Sequence, residues 1–114
     1  MYAQRHRLRK SSDINRVYQR GRRAGNDWLL IRSLPNRGGA SRIAIVISKK
    51  VDKRAVVRNR CRRRVREVIR LLLPDCQPGF DILVTIKTDI RNLDSEILTT
   101  EIRQQFGRLG LVHK

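Results

Sequence analysis

The sequence has few of the residues that build covalent cross-links and metal sites. Its 114 residues include two cysteines and two histidines. Cys61 and Cys76 are too few for a disulfide framework or a cysteine-rich zinc site. His6 and His113 lie near opposite ends of the chain, without cysteines at ligand spacing. We therefore expect no bound metal, and a reduced Cys61 that packs as a small apolar side chain.

Long apolar runs are also missing. No stretch approaches the roughly 18 apolar residues that cross a bilayer. The basic segment over residues 1–10 is not followed by the apolar stretch of a secretory signal. Aromatic residues make up only 4% of the chain, but a hydrophobic share of 39% suits one compact domain over residues 1–114. We expect an uncleaved bacterial cytoplasmic protein with no membrane partner.

Acidic residues are scarce, and the resulting charge is unevenly placed. The chain has 27 Lys and Arg against 10 Asp and Glu, a net charge of +17. Residues 1–66 sum to +18, whereas residues 67–114 sum to −1. Self-repulsion of this size destabilises a compact monomer, so a polyanionic partner is expected. The preference for arginine, which makes forked contacts to phosphate and stacks on bases, favours nucleic acid over a membrane surface.

Apolar periodicity and turn residues predict a mixed fold. Helices are expected from a cap at Ser11 or Ser12 to Gly21, over about 55–73, and after a cap at Asp94. Strands are expected over 22–26, 28–34, 43–47 and 80–86, the third covered on both faces or nearly so. The order α-β-β-β-α-β-α indicates an α+β two-layer sandwich. Whether the second face of the sheet is open to a ligand stays undecided.

The segment over residues 53–66 has eight basic residues and no acid. In the predicted helix, six apolar side chains fall within a sector of about 120°, the stripe that a helix buries on a sheet: Val57, Cys61, Val65, Val68, Ile69 and Leu72. The arginines border this stripe or point outward, and repel one another by a few tenths of a kcal/mol per pair. An ordinary solvated helix face mixes both signs of charge. The pattern therefore favours binding to a polyphosphate.

DNA is a weaker candidate than RNA for that partner. A basic helix in the major groove normally belongs to a helix-turn-helix or a dimerising zipper, and neither pattern is present. We expect recognition of RNA by shape and backbone, with no DNA partner.

Residues 55–67 resemble the signature of the bacterial ribonuclease P protein family. That signature runs Ala, two residues, Arg-Asn-Arg, an apolar residue, two basic residues and an apolar-Arg-Glu ending. Segments around 7–21, 42–50 and 80–84 also resemble the family, so that the likeness covers roughly residues 5–106. It implies a four-stranded mixed sheet packed with three helices and a left-handed strand–helix–strand crossover, against the usual hand.

The resemblance also implies a function. In this family a catalytic RNA subunit uses Mg²⁺, held mainly by the RNA, to hydrolyse the 5′ leader from precursor tRNA, and the protein binds both RNAs. Carried over by position, the contacts to the catalytic RNA are Arg58, Asn59, Arg60, Arg62, Arg63, Arg66, Lys49, Lys50 and Lys53. The leader cleft would include Ile14, Tyr18, Trp28 and Arg32.

Three cleft positions depart from the family pattern or have a second interpretation. Ile14 stands where the family commonly has an aromatic residue and cannot stack on a base, so plain core packing is its alternative. Arg32 also replaces an aromatic, which exchanges stacking for a phosphate contact. Trp28 offers a stacking plane or packs on an edge strand.

Catalysis by the protein itself is not expected. RNA cleavage by side chains needs a histidine pair or clustered carboxylates, and neither is present. Any endoribonuclease activity would therefore belong to the RNA of the holoenzyme. The alternative function is a ribosomal or ribosome-assembly RNA-binding protein. Composition does not separate the two functions, the Arg-Asn-Arg motif favours the first, and the RNA that co-purifies would distinguish them.

Overall fold

The computed structural model describes residues 4–112, within which three α-helices flank a four-stranded sheet. The helices are α1 (Ser11–Arg20), α2 (Ala55–Leu72) and α3 (Ser95–Arg108), and the strands are β1 (Arg22–Gly25), β2 (Leu29–Pro35), β3 (Arg42–Ile47) and β4 (Phe80–Ile86). Short 3₁₀ turns cover Gln4–His6 and Leu73–Asp75. This confirms the predicted α+β class and element order. Across residues 4–112, no helix has the length and apolarity that a bilayer span requires.

The sheet is mixed, with strand order β1-β2-β4-β3. β2 pairs antiparallel with β1 and β4, whereas β3 pairs in parallel with β4. Parallel neighbours need a crossover connection, and α2 supplies it between β3 and β4. The basic first turns of α2 therefore come directly after the loop at the carboxyl end of β3.

Both faces of the sheet carry a core. On one face the sheet packs with α2 and α3 in the main core, which includes Ile31, Ile82 and Phe106. On the other face a smaller cluster joins Leu8 and Val17 to strand residues Ala44 and Leu83, with Ile14 and Leu34 packed against it. The second face is only partly covered, as the 37% exposure of Val46 shows. The expectation that β3 is covered on both faces or nearly so therefore holds for Ile43 and Ala44, which are buried, and fails at Val46.

The start of α1 differs from the prediction of a serine cap. The helix begins at Ser11 itself, and Lys10 at the N-cap makes no side-chain capping bond. Tertiary contacts anchor the chain here instead, since the Leu8 amide donates to the Ile43 carbonyl at 3.0 Å and the Leu8 side chain is buried. Gly21 ends the helix as predicted. A Cβ at this position would lie 2.6 Å from the Val17 carbonyl oxygen, so only glycine lets the chain pass this close to Val17.

Other element ends are set by local hydrogen bonding and by proline. The Asn26 side-chain oxygen accepts from the Trp28 amide at 3.0 Å and the Leu29 amide at 2.9 Å, so β2 begins after that turn. α2 stops at Leu72, and the chain turns tightly through Pro74. The Asp94 cap is confirmed, because its carboxylate accepts from two amides of the first turn of α3.

The two thiols are free and shielded. Cys61 is fully buried in the main core, and burial raises the pKa of its thiol. Cys76 is partly buried, and desolvation raises its pKa to about 11. Neither side chain is therefore a nucleophile near neutral pH.

The orientation of α2 on the sheet can be tested with two valines of this helix. Val65 is fully buried and Val56 is 60% exposed. We expect Val65→Ala to lower the free energy of unfolding by about 2 kcal/mol, because it opens a cavity in the core, and Val56→Ala to change it by less than about 0.5 kcal/mol. Urea denaturation measures both values. Equal effects of the two substitutions would contradict the orientation of the helix.

Candidate nucleic-acid interface

The orientation of α2 separates its apolar and cationic sides. Its buried residues are the six predicted from periodicity: Val57, Cys61, Val65, Val68, Ile69 and Leu72. Since this stripe faces the core, the remaining positions face outward or lie along its borders. The helix surface that results is dominated by guanidinium groups.

Some of these arginines bond to the protein's own backbone. Arg58 Nη1 donates to the Asp52 and Lys53 carbonyls at 3.0 and 2.8 Å. Arg64 Nη1 donates to the Ile90 and Arg91 carbonyls at 2.6 and 3.0 Å. Arg58 therefore fixes the loop that precedes α2, and Arg64 fixes the segment that precedes α3. Helical periodicity places Arg64 at the border of the apolar stripe but does not indicate this role, because carbonyls 26 and 27 positions away leave no local pattern.

Other arginines of α2 project without an acidic partner. Arg60 and Arg63 are exposed and Arg66 is half-buried. Within residues 4–112, no ion pair engages any of these three side chains; α2 and its N-cap pair with acids only at Arg54, with Asp52, and at Arg70, with Glu67. Arg62 donates to the Asn59 side chain on the same face. This surface therefore keeps most of its positive charge.

The loop between β3 and α2 extends the same surface. Lys49, Lys50 and Lys53 are all exposed there. The Ser48 hydroxyl accepts from the Lys50 amide at 2.8 Å, and the Asp52 carboxylate accepts from the Arg54 amide at 2.8 Å. Hydrogen bonds from the Arg54 side chain and amide lower the pKa of Asp52 to about 2. Asp52 thus stays ionised at neutral pH and holds the loop, while the lysines point into solvent.

On the other face of the sheet, Tyr18 and Arg32 form a stacked pair. The guanidinium carbon of Arg32 lies 4.4 Å from the centre of the Tyr18 ring, within the range of a cation–π contact. Arg32 is only 8% exposed, whereas Tyr18 is 59% exposed. The outer face of the phenol ring is therefore open to a ligand. Arg32 Nε is buried without a hydrogen-bond partner.

The other two predicted cleft residues take packing positions. Ile14 packs against the small cluster beneath α1, beside Val17. Trp28 packs against the main core instead, at the turn between β1 and β2. The structure thus places Ile14 and Tyr18 on one helix over the same sheet face, and does not bring Trp28 to Ile14. For Ile14 and Trp28, these contacts fit the alternative interpretation, in which each residue packs against the core.

The acidic side chains do not assemble a metal site. Among residues 4–112, no group of three or more His, Cys, Asp or Glu side chains is arranged to hold an ion. The Nδ1 atom of His6 lies 2.8 Å from the Ser41 carbonyl oxygen, and His113 lies outside the described residues. Asp89 is committed to Arg91 at 2.8 Å.

Comparison with known proteins gives one consistent family. The family model named Ribonuclease P matches residues 2–110. The chain is 36% identical to the ribonuclease P protein component of a Cyanothece species over 99% of this chain and 98% of that protein. It is 38% identical to the same component of a Picosynechococcus species, over 95% and 93% of the two chains. The solved ribonuclease P protein from Thermotoga maritima superposes with a TM-score of 0.80 at 26% identity, over 91% and 97% of the two chains.

The buried Arg32 should contribute little to stability. Burying a guanidinium group costs desolvation energy, which offsets the cation–π contact that Arg32 makes with Tyr18, and Arg32 Nε has no hydrogen bond that the substitution would break. We expect Arg32→Met to change the free energy of unfolding by less than about 1 kcal/mol, because the lost cation–π contact and the relieved desolvation offset each other. Arg22→Met, on the exposed edge strand, is the control and should have almost no effect. A marked loss of stability in Arg32→Met alone would show that Arg32 is a structural residue.

Proposed function

The chain belongs to the ribonuclease P protein family, and from this premise we propose that it is the protein subunit of a ribonuclease P ribonucleoprotein. In that particle the RNA subunit hydrolyses the 5′ leader from precursor tRNA with Mg²⁺. The protein binds the catalytic RNA and the leader, and contributes no catalytic residue. It acts in the bacterial cytoplasm as one RNA-binding domain.

One observation carries this proposal: α2 has a buried apolar stripe and an outer arginine face with few acidic partners. A rigid row of guanidinium groups fits an RNA backbone because each group makes forked contacts to phosphate oxygens. Arg60, Arg63 and Arg66 supply the unpaired cations, and the exposed lysines of the β3–α2 loop lengthen the row. Arg58 contributes mainly by fixing that loop.

The Tyr18–Arg32 pair is the proposed contact to the leader. Arg32 lies against one side of the phenol ring, and the exposed outer side can stack on a base of a single strand. Stacking tolerates any base, which suits leaders of varied sequence. Ile14 supports α1 from beneath, and Trp28 holds the β1–β2 turn in the main core.

The protein's contribution to the reaction is electrostatic and positional. Two RNAs meet in the particle, and their phosphates repel. A protein with a net charge of +17 screens that repulsion where it binds and releases counterions, and a held leader places the scissile bond in the RNA's active site. Among the described residues, no cluster of three or more His, Cys, Asp or Glu side chains could hold an ion, and we assign the metal to the RNA.

Reconstitution tests the whole proposal. Adding this chain to a bacterial ribonuclease P RNA should restore 5′-leader cleavage at a Mg²⁺ concentration where the RNA alone is inactive, because protein cations replace part of the metal's screening. Cleavage is followed with 5′-labelled precursor tRNA. No stimulation, combined with binding to ribosomal RNA, would support the ribosome-assembly alternative instead.

The arginine face can be tested with charge-matched variants. Arg60→Gln with Arg63→Gln should weaken binding to the catalytic RNA by about tenfold and lower the slope of log affinity against log salt by about two, because two phosphates are no longer neutralised. Arg103→Gln with Arg108→Gln removes two exposed charges from α3 and should change neither quantity by comparable amounts. Filter binding measures affinity, and circular dichroism checks that both variants fold. Equal losses of affinity in the two double variants would show that net charge alone accounts for the effect.

A further inference from the structure

Arg64 differs from its neighbours on α2 in where its donors point. Its Nη1 atom donates to the carbonyl oxygens of Ile90 and Arg91 at 2.6 and 3.0 Å, and its Nη2 atom donates to the Ser95 hydroxyl at 3.3 Å. The side chain is half-buried at the border of the apolar stripe, whereas Arg63, the residue before it, is exposed. Both terminal nitrogens of Arg64 are therefore engaged within the protein.

The segment that Arg64 binds is irregular. Residues 87–94, between β4 and α3, form neither helix nor strand. Carbonyl groups in such a segment need partners from elsewhere in the fold, and the Arg91 carbonyl receives one from Arg64. Cys61, about one turn earlier on α2, adds a second contact, because its thiol lies 3.6 Å from the Asp89 carboxylate. The helix is therefore joined to this segment at two successive turns.

The charges of the same segment lie close to those of the loop before α2. Asp89 pairs with Arg91 at 2.8 Å. The pKa of Asp52 is lowered mainly by its hydrogen bonds with Arg54, and the positive charge of Arg91 adds to this shift. The pKa of Arg54 is raised mainly by Asp52, and the negative charge of Asp89 adds to that shift. The segment held by Arg64 therefore borders the loop that supplies the lysines of the proposed RNA interface.

The apolar seam between α2 and the sheet, formed by the buried stripe of the helix, determines which side of α2 faces the core. Apolar packing has no directional preference of its own, whereas a hydrogen bond weakens steeply when its geometry changes. A rotation of α2 by about 20° would move a group about 6 Å from the helix axis by about 2 Å. Such a shift breaks a hydrogen bond to a phosphate oxygen. The final alignment of the outer arginines therefore depends on polar contacts such as those of Arg64.

We propose that Arg64 is a positioning residue for RNA recognition, which sets the alignment of α2 through the Ile90 and Arg91 carbonyls and touches no phosphate itself. This role rests on the proposed function, because the groups that it positions are the unpaired arginines of the outer face. The arginines of α2 then include those that contact RNA and one that aligns them. Charge pattern and helical periodicity do not distinguish the two roles, because both depend only on residue type and spacing.

The test compares Arg64→Lys and Arg64→Met with the same substitutions at Arg63, in the full-length chain. A lysine keeps the positive charge but lacks the planar fork that reaches both carbonyls. We expect both Arg64 variants to bind a bacterial ribonuclease P RNA about fivefold more weakly, with the slope of log affinity against log salt unchanged. At Arg63 we expect lysine to keep most of the affinity, and methionine to lower the slope by about one, because one phosphate is no longer neutralised.

Two controls separate alignment from stability and from net charge. Circular dichroism selects a temperature at which every variant is folded, so that a loss of stability is not measured as a loss of affinity. Arg108→Met removes one exposed charge at the other end of α3 and should change neither affinity nor slope by comparable amounts.

NMR reports the alignment itself. In Arg64→Lys, amide resonances should shift in residues 89–95 and also at Val57 and Leu71, about two turns to either side on α2. A residue that only holds its loop would shift the loop resonances alone and leave RNA affinity at the wild-type value, which would overturn the proposal.

The salt slopes distinguish the remaining outcomes. If Arg64→Lys keeps the affinity and Arg64→Met lowers the slope by about one, then Arg64 contacts a phosphate and the proposal is wrong. If Arg63→Met weakens binding and both Arg64 variants match the wild type, only this inference fails. If Arg63→Met also leaves the affinity unchanged, the arginine face does not bind this RNA, and the proposed function fails with it.

Discussion

The cationic surface of this protein depends on the apolar packing of α2 against the sheet. Six side chains of the helix are buried there, and burying each aliphatic side chain stabilises the fold by about 1.5–3 kcal/mol. That stabilisation holds a helix whose arginines repel one another. Because the seam fixes the rotation of the helix, it also fixes the direction of each guanidinium group. In the proposed complex, RNA meets a preformed row of cations, and little side-chain and backbone order has to be created on binding.

Several of the few acidic residues form ion pairs that orient arginines. Because acidic residues are much fewer than basic ones, a surplus of positive charge remains. Asp52 pairs with Arg54, Asp81 with Arg42, and Asp89 with Arg91, each at 2.8 to 3.0 Å. All three pairs lie at the ends of strands or in loops, where regular backbone bonding stops. The arginines left unpaired face solvent together, which raises the free energy of the isolated protein. Any anion that binds only the folded chain offsets that repulsion, so RNA binding and folding stabilise each other.

Local patterns predicted much of the fold and less of the site. The stripe from Val57 to Leu72 and the Asp94 cap depend on residues within a few turns, so periodicity and capping rules found them. The start of α1 depends on Leu8 bonding to Ile43, and the fixing role of Arg64 on the Ile90 and Arg91 carbonyls. Such contacts arise from the tertiary fold, and single-sequence patterns carry no signal for them.

The position of Arg32 bears on the proposed leader contact, in which Tyr18 supplies an exposed aromatic ring. An arginine buried beneath a ring costs desolvation energy, and here its Nε finds no hydrogen-bond partner, so the contact with the Tyr18 ring has to offset that cost. Its cation lies 4.4 Å from the ring centre of Tyr18, where it restrains the ring and adds positive potential behind it. A base stacked on the outer side brings its own phosphates into that potential. In the proposed leader contact, Arg32 thus supplies attraction for the backbone while Tyr18 supplies the stacking surface, so that one residue pair combines the two contributions that single-stranded RNA binding requires.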